Sequence, residues 1–277
     1  MKTIHLSLLI VCALLASACG MGSSDDTRTV VVSIEPLRYF TEQIAGNRFK
    51  VQTMVPAGSN PEIYEPNARQ MMELTQSAMY IKVGQIGFER AWMKKLEKTA
   101  PHTIVIDSSD GIEMAHTLHG HADPHTWMST ANAAIIAQNI YKALKAVDAR
   151  DSLYFRANLE NLLTRIHALD THIREQITRD KATAFLIYHP SLTYFAREYG
   201  LTQIPIEEEG REPSVAQLQG IIKLARDRGV RCLFVQREFD NRNTQTVARE
   251  TGAAVVTINP LSYHWEKEML NTARRLR

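Results

Sequence analysis

Between Asp151 and Thr178 the chain runs without a glycine or a proline, and Leu159, Leu162, Leu163, Ile166, Leu169, Ile173 and Ile177 recur at i, i+3, i+4, i+7 spacing. Apolar side chains at that period line one stripe of an α-helix. The stretch therefore predicts one continuous helix on the order of 40 Å long, with Asp151 as its N-cap. The stripe lasts too few heptads to favour a coiled coil, so other elements must cover it. Thr130 to Val147, just upstream, also lacks glycine, proline and any strand-like run, and reads as a second helix.

On either side of these helices, short β-branched runs alternate with amphipathic segments. The runs are "TVVVSI", "FKVQTMV", "AMYIKV" and "TIVID" before them, and "TAFLIY", "LTQIPI", "RCLFVQ" and "AAVVTI" after them. Strand followed by helix, repeated, is the pattern of βα units and a parallel sheet. The predicted fold class is α/β: two lobes, each with a parallel β-sheet flanked by helices, joined by one long rigid α-helix. Residues 29–147 make the first lobe, 151–179 the connecting helix and 180–277 the second lobe. A single stiff connection predicts small lobe shifts rather than wide hinge motion.

The amino terminus stands apart from this fold. The run "LSLLIVCALLASAC", Leu6 to Cys19, follows Lys2 and is shorter than the roughly 20 residues that span a bilayer. It reads as a secretory signal over residues 1–18. Ala16, Ser17 and Ala18 before Cys19 resemble a bacterial lipobox, which makes Cys19 a lipidated first residue and residues 19–28 a tether. The chain is then periplasmic or at the cell surface, anchored to a membrane by lipid. Only Cys232 remains in the mature chain, so no internal disulfide forms, and its place in "RCLFVQ" reads as a buried, inert thiol. A net charge of +2 on 277 residues, with no long basic run, gives no electrostatic footprint for nucleic acid.

Ligands of parallel α/β domains bind beyond the carboxyl ends of the strands. Glu62 and Glu65 follow "FKVQTMV", the stretch "HTLHGHADPH" from His116 to His125 follows "TIVID", and His189 follows "TAFLIY". Glu207, Glu208 and Glu209 follow "LTQIPI", and Asn259 follows "AAVVTI". Imidazoles and carboxylates gathered on one rim from both halves are the donor set of a divalent transition metal.

Such a set also serves hydrolases. "HGHADPH" comes within one residue of the His-x-His-x-Asp-His motif of metallo-β-lactamase-fold enzymes, and Glu62 or Glu208 could act as general base. Pro124 breaks the spacing, however, no glycine pair follows, and a His-Glu-x-x-His motif is absent.

In order along the chain, "PAGSNPEIYEP", "ADPHTW" and "YHPSLTYFAREYGL" resemble the three signatures of the metal-binding receptors of bacterial zinc and manganese ABC importers. The resemblance covers nearly all of the mature chain. It implies a monomeric exported receptor that captures a divalent metal between two lobes and delivers it to a membrane permease, with no catalytic residues. His125 and His189 fall on two of the family's metal-ligand histidines. Glu62 stands where the first signature carries a histidine. The fourth ligand is an aspartate opening a "DPL"-like turn in the family, whereas this chain has "NPL" with Asn259, whose oxygen is neutral. Glu208 and Glu65 are the other candidates for that place or for its support. Two imidazoles favour zinc, and manganese is the alternative cargo. His116, His119 and His121 read either as an accessory metal loop or as a solvated turn. A metal-dependent adhesin on the same fold is a further alternative.

Overall fold

The computed structural model describes residues 28–117, 119–207, 210–236 and 242–277, so that the leader, Cys19 and Glu208 lie outside the described residues. Two four-stranded sheets form its frame. The first contains β1 (Arg28–Val32), β2 (Phe49–Thr53), β3 (Met79–Lys82) and β4 (Ile104–Asp107), and the second β5 (Ala184–Ile187), β6 (Thr202–Pro205), β7 (Cys232–Gln236) and β8 (Ala254–Ile258). Their orders are β2-β1-β3-β4 and β6-β5-β7-β8, with every pairing parallel. Each of the eight β-branched runs became a strand.

In both sheets the second connection passes back over the first strand, so strand order reverses between β1 and β3 and again between β5 and β7. That reversal opens a crevice at the carboxyl edge, because the loops on either side of it turn away from each other. The helices α1 (Glu35–Ala45), α2 (Ala68–Thr75) and α3 (Gly87–Thr99) serve the first sheet, and α6 (Thr193–Tyr199), α7 (Val215–Asp227) and α8 (Arg242–Thr251) serve the second. Between them run α4 (Thr130–Val147) and α5 (Ser152–Asp180), and the chain closes with α9 (Trp265–Arg274).

The stripe on α5 is buried as its spacing requires, through Phe155, Leu159, Leu162, Ile166, Leu169, Ile173 and Ile177. Full burial of such a side chain contributes roughly 1.5–3 kcal/mol, which is why this helix needs no coiled-coil partner: α1, α4 and α9 cover it. Asp151 does occupy the N-cap position, but its side chain makes no capping hydrogen bond. The carboxylate instead pairs with Arg48 at 3.1 Å, so a charged partner displaced the expected cap.

The two lobes share one core. It runs from the first sheet through α4 and α5 to Phe185, Ile187, Cys232 and Phe234 on one face of the second sheet, and it takes in Trp265, Met269 and Ala273 of α9. The alternate residues Leu186, Leu233 and Val235 face a separate cluster with Ala225 of α7 and Val247 of α8, as the two-residue period of a strand dictates. The carboxyl-terminal helix, expected within the second lobe, thus packs into the core common to both. Phe40 of α1 meets Trp265 with ring centroids 4.9 Å apart, Tyr263 donates to Glu42 at 2.6 Å, and Arg165 of α5 pairs with Glu266 at 3.0 Å. Cys232 is fully enclosed, and burial pushes its thiol up to about 12, in keeping with an inert group.

Candidate metal centre

His125 sits on the turn that leads into α4, and its orientation is fixed twice by one side chain. Asp123 Oδ1 accepts the His125 backbone N–H at 2.9 Å and faces the ring Nδ1 at 2.8 Å. Burial alone would lower the His125 pKa, but the charge and hydrogen bond of Asp123 raise it above the ordinary value. Reciprocally, burial would raise Asp123, and His125 holds it below the usual carboxylate range. With Nδ1 engaged by a carboxylate, Nε2 is the ring nitrogen left for a ligand.

The second lobe repeats the device. His189 leaves the end of β5, Glu207 leaves the end of its neighbour β6, and the register of those strands brings the two together: His189 Nδ1 lies 3.1 Å from Glu207 Oε2. Glu207 is itself held by the Gly210 N–H at 2.6 Å and by its own N–H on Tyr188 O at 3.0 Å. Burial would raise its pKa, but the bond to His189 and the attendant charge bring it down. A carboxylate behind each imidazole raises ligand basicity and locks the ring.

These two carboxylate-backed rings meet across the lobes, with centroids 5.3 Å apart and planes inclined at 72°. They border a cleft of about 20 Å³ lined also by Asn60, Pro61, Glu62, Trp127, Gln236, Pro260 and Leu261. A space of that size takes a single water or ion. A larger open groove of about 330 Å³ lies between β8 and α9, at Val255 to Ile258 and Arg275, and holds none of the expected ligands.

Glu62 reaches the cleft from the loop after β2, and its charge contributes to the raised pKa of His125. Its Oε2 accepts the Gly87 N–H at 3.2 Å at the start of α3, with Arg90 at 3.9 Å. Gly87 has to be glycine here, since a Cβ would fall 2.2 Å from the Glu62 carbonyl oxygen. Among the described residues no three His, Cys, Asp or Glu side chains stand together as a finished metal cage; the imidazole pair is the assembled part, and Glu62 is parked beside it on a helix end.

The remaining candidates lie elsewhere. Glu65 is exposed and does not line the cleft. Asn259 is exposed too, and its side-chain oxygen accepts the Leu261 N–H at 3.1 Å, closing the turn before α9. His116, His119 and His121 are exposed on a small hairpin in which His116 bridges Ala122, the Thr117 N–H bonds His121 O at 2.8 Å, and Gly120 takes a positive φ of 84°. His121 and His125 therefore point to different surroundings, one in solvent and one in the cleft. Asp123, the would-be hydrolase ligand, is spent behind His125 Nδ1. The sequence placed Glu207 among the rim carboxylates and Asp123 in the broken hydrolase motif, so neither was expected behind a histidine ring, and Gln236 carries no motif.

A cleft between two parallel α/β lobes, walled by histidines from each, defines a binding protein for a divalent metal. The family model described as "ZnuA: Zinc-uptake complex component A periplasmic" matches residues 30–273, and the chain belongs to that family. It is 26% identical over 281 residues to the high-affinity zinc uptake system protein ZnuA of Bacillus subtilis (strain 168), covering 92% of this chain and 88% of that one. It is 28% identical over 271 residues to the manganese ABC transporter substrate-binding lipoprotein PsaA of Streptococcus pneumoniae serotype 4, covering 90% and 86%. Among solved structures, a crystal structure of ZnuA superposes with a TM-score of 0.85 at 33% identity, over 90% of this chain and 97% of the other.

Proposed function

We propose that this chain is the extracytoplasmic receptor of a metal importer, which takes up one divalent transition metal between its lobes and passes it to a membrane permease. The observation that carries the reading is the pair of carboxylate-backed imidazoles, one from each lobe, facing each other at 5.3 Å. Zinc is the cargo that this donor set favours, because two nitrogen ligands suit a four-coordinate zinc and sit high in its affinity order relative to manganese. The names of its relatives, ZnuA and PsaA, support a metal cargo and an importer as partner. Manganese is the second reading, favoured by Glu62 at the position of a family histidine, which adds a hard oxygen donor.

The receptor works as a monomer, held to a membrane through a lipid on Cys19, in the periplasm or at the cell surface, and binds no nucleic acid. It performs no bond-making chemistry. Two tests bear on this. Deleting the gene should abolish high-affinity uptake of radioactive zinc by the source cells, and metal analysis of protein purified without added metal should return about one zinc per chain. Uptake unchanged by the deletion, or protein that binds neither zinc nor manganese in a competition titration, would overturn it.

A further inference from the structure

The donors so far account for three places around the cleft, and the fourth expected donor, Asn259, is exposed and does not line it. One side chain on the cleft wall has been left without a role. Gln236 ends β7, beside the β5 strand that delivers His189. It is 9% exposed and lines the cleft together with His125, His189 and Glu62. Its Nε2 donates to Ser191 Oγ at 2.8 Å, and its Oε1 carries no hydrogen bond within the described residues. Ser191 is fully buried on the His189 turn, where its own N–H bonds His189 O at 2.7 Å.

We infer that Gln236 supplies the fourth ligand to the metal through Oε1, and that Ser191 is the positioning residue that turns this oxygen, rather than the amide nitrogen, toward the cleft. The inference rests on the metal-receptor reading above. An amide has one acceptor end and one donor end. With the donor end spent on Ser191, the carbonyl is the end left for a cation, and the opposite rotamer would aim N–H groups at a positive charge. The β7 position suits the role physically: Gln236 is still held in the sheet by its pairing with Ile258 of β8, and this strand borders the reversal of strand order where a ligand sits. The resulting set is two imidazole nitrogens, one carboxylate and one neutral oxygen, so one negative charge faces a doubly charged ion. The charge deficit is carried by Asp123 and Glu207 behind the rings.

The test uses the full mature chain in three forms: native, Gln236→Leu and Gln236→Glu. Each is titrated with zinc against a chromophoric chelator, and the cobalt(II)-loaded form is read by visible absorption, whose intensity reports coordination number. Gln236→Leu, which fills the same space without an oxygen, should weaken zinc binding about tenfold or more, on the scale by which metal sites respond to loss of a supporting polar group, and should alter the cobalt spectrum. Gln236→Glu keeps the shape, decides the case independently of how leucine packs, and should tighten zinc binding about tenfold by adding the missing charge, on the same scale. Ser191→Ala should give a smaller loss than Gln236→Leu. Native protein that binds zinc while both Gln236 variants stay within about twofold of it, with unaltered cobalt spectra, overturns the inference and leaves the receptor reading standing. Native protein that binds neither zinc nor cobalt overturns both.

Discussion

The indole N–H of Trp265 donates to the backbone carbonyl of Trp127 at 2.8 Å, while the indole of Trp127 donates to the carbonyl of Pro260 at 2.8 Å. Trp127 stands two residues after His125 with ring centroids 5.3 Å apart, and Trp265 opens the final helix, so the two bonds latch the His125 turn of the first lobe to the carboxyl-terminal segment. Both indoles are buried. Trp265→Phe keeps a ring but leaves the Trp127 carbonyl unpaired, and should cost about 1–3 kcal/mol. Urea unfolding of the metal-free protein checks this through a lowered midpoint at constant slope.

The carboxylates behind the rings should matter nearly as much as the rings. Asp123→Ala and Glu207→Ala are each expected to weaken zinc binding about 10–100-fold, because each frees an imidazole and lowers its basicity. Asn at 123 and Gln at 207 should recover part of the loss, since a carbonyl oxygen still accepts from Nδ1. Equal losses in the Ala and amide variants would show that charge alone is at work.

The exposed hairpin should be dispensable for tight binding. Replacing His116, His119 and His121 together by serine is expected to leave the affinity of the cleft within about twofold, because their loop touches solvent and not the His125 ring, and surface changes away from a site rarely exceed about 0.5 kcal/mol. Isothermal titration at pH 7.5 separates the outcomes: loss of a second, weaker binding event assigns these side chains an accessory metal site, and loss of the tight event would place the hairpin histidines in the tight site itself.

Acid should act on the loaded and metal-free forms in opposite directions. An imidazole must be neutral to bind metal, and Asp123, against the effect of burial, holds His125 protonated above the ordinary value of about 6.5. Zinc affinity is therefore expected to begin falling above pH 6.5 and to continue downward. In the metal-free chain, the raised pKa of His125 contributes stability that is fully present below its unfolded value and is lost as pH rises through the folded one. The lowered pKa of Asp123 contributes stability present above its unfolded value, about 3.9, and lost as pH falls through the folded one. The pair thus supports the metal-free fold best between about pH 4 and 6.5. Denaturation with a chelator present, compared with the same series on His125→Ala, reads that window directly.

Local patterns carried most of the architecture. The eight β-branched runs and the α5 stripe are one-dimensional signals, and each survived folding because the buried side chains they specify are the ones the core uses, as Leu162 and Ile173 do. What depends on pairing between distant segments was not readable. That α9 packs on Phe40 rather than staying with its own sheet follows from tertiary contacts of Trp265, and that Arg48 rather than the helix end takes Asp151 follows from which charge lies nearby. The site divides the same way. His125, His189 and Glu62 came from residue type at strand ends and from resemblance, and the structure brings all three to one cleft. Glu207 as the partner of His189 depends on the β5–β6 register, Gln236 belongs to no pattern, and Asn259 has the right position in sequence but its oxygen closes a turn.

The central claim is that one metal is held by one histidine from each lobe. X-ray absorption at the zinc edge of the zinc-loaded mature chain measures this most directly. The account predicts two imidazole nitrogens at about 2.0–2.1 Å, the remaining ligands oxygen and no sulfur, with one imidazole lost in His125→Ala and one in His189→Ala. A zinc shell with at most one imidazole in the native protein, or one that both variants leave unchanged, would contradict it.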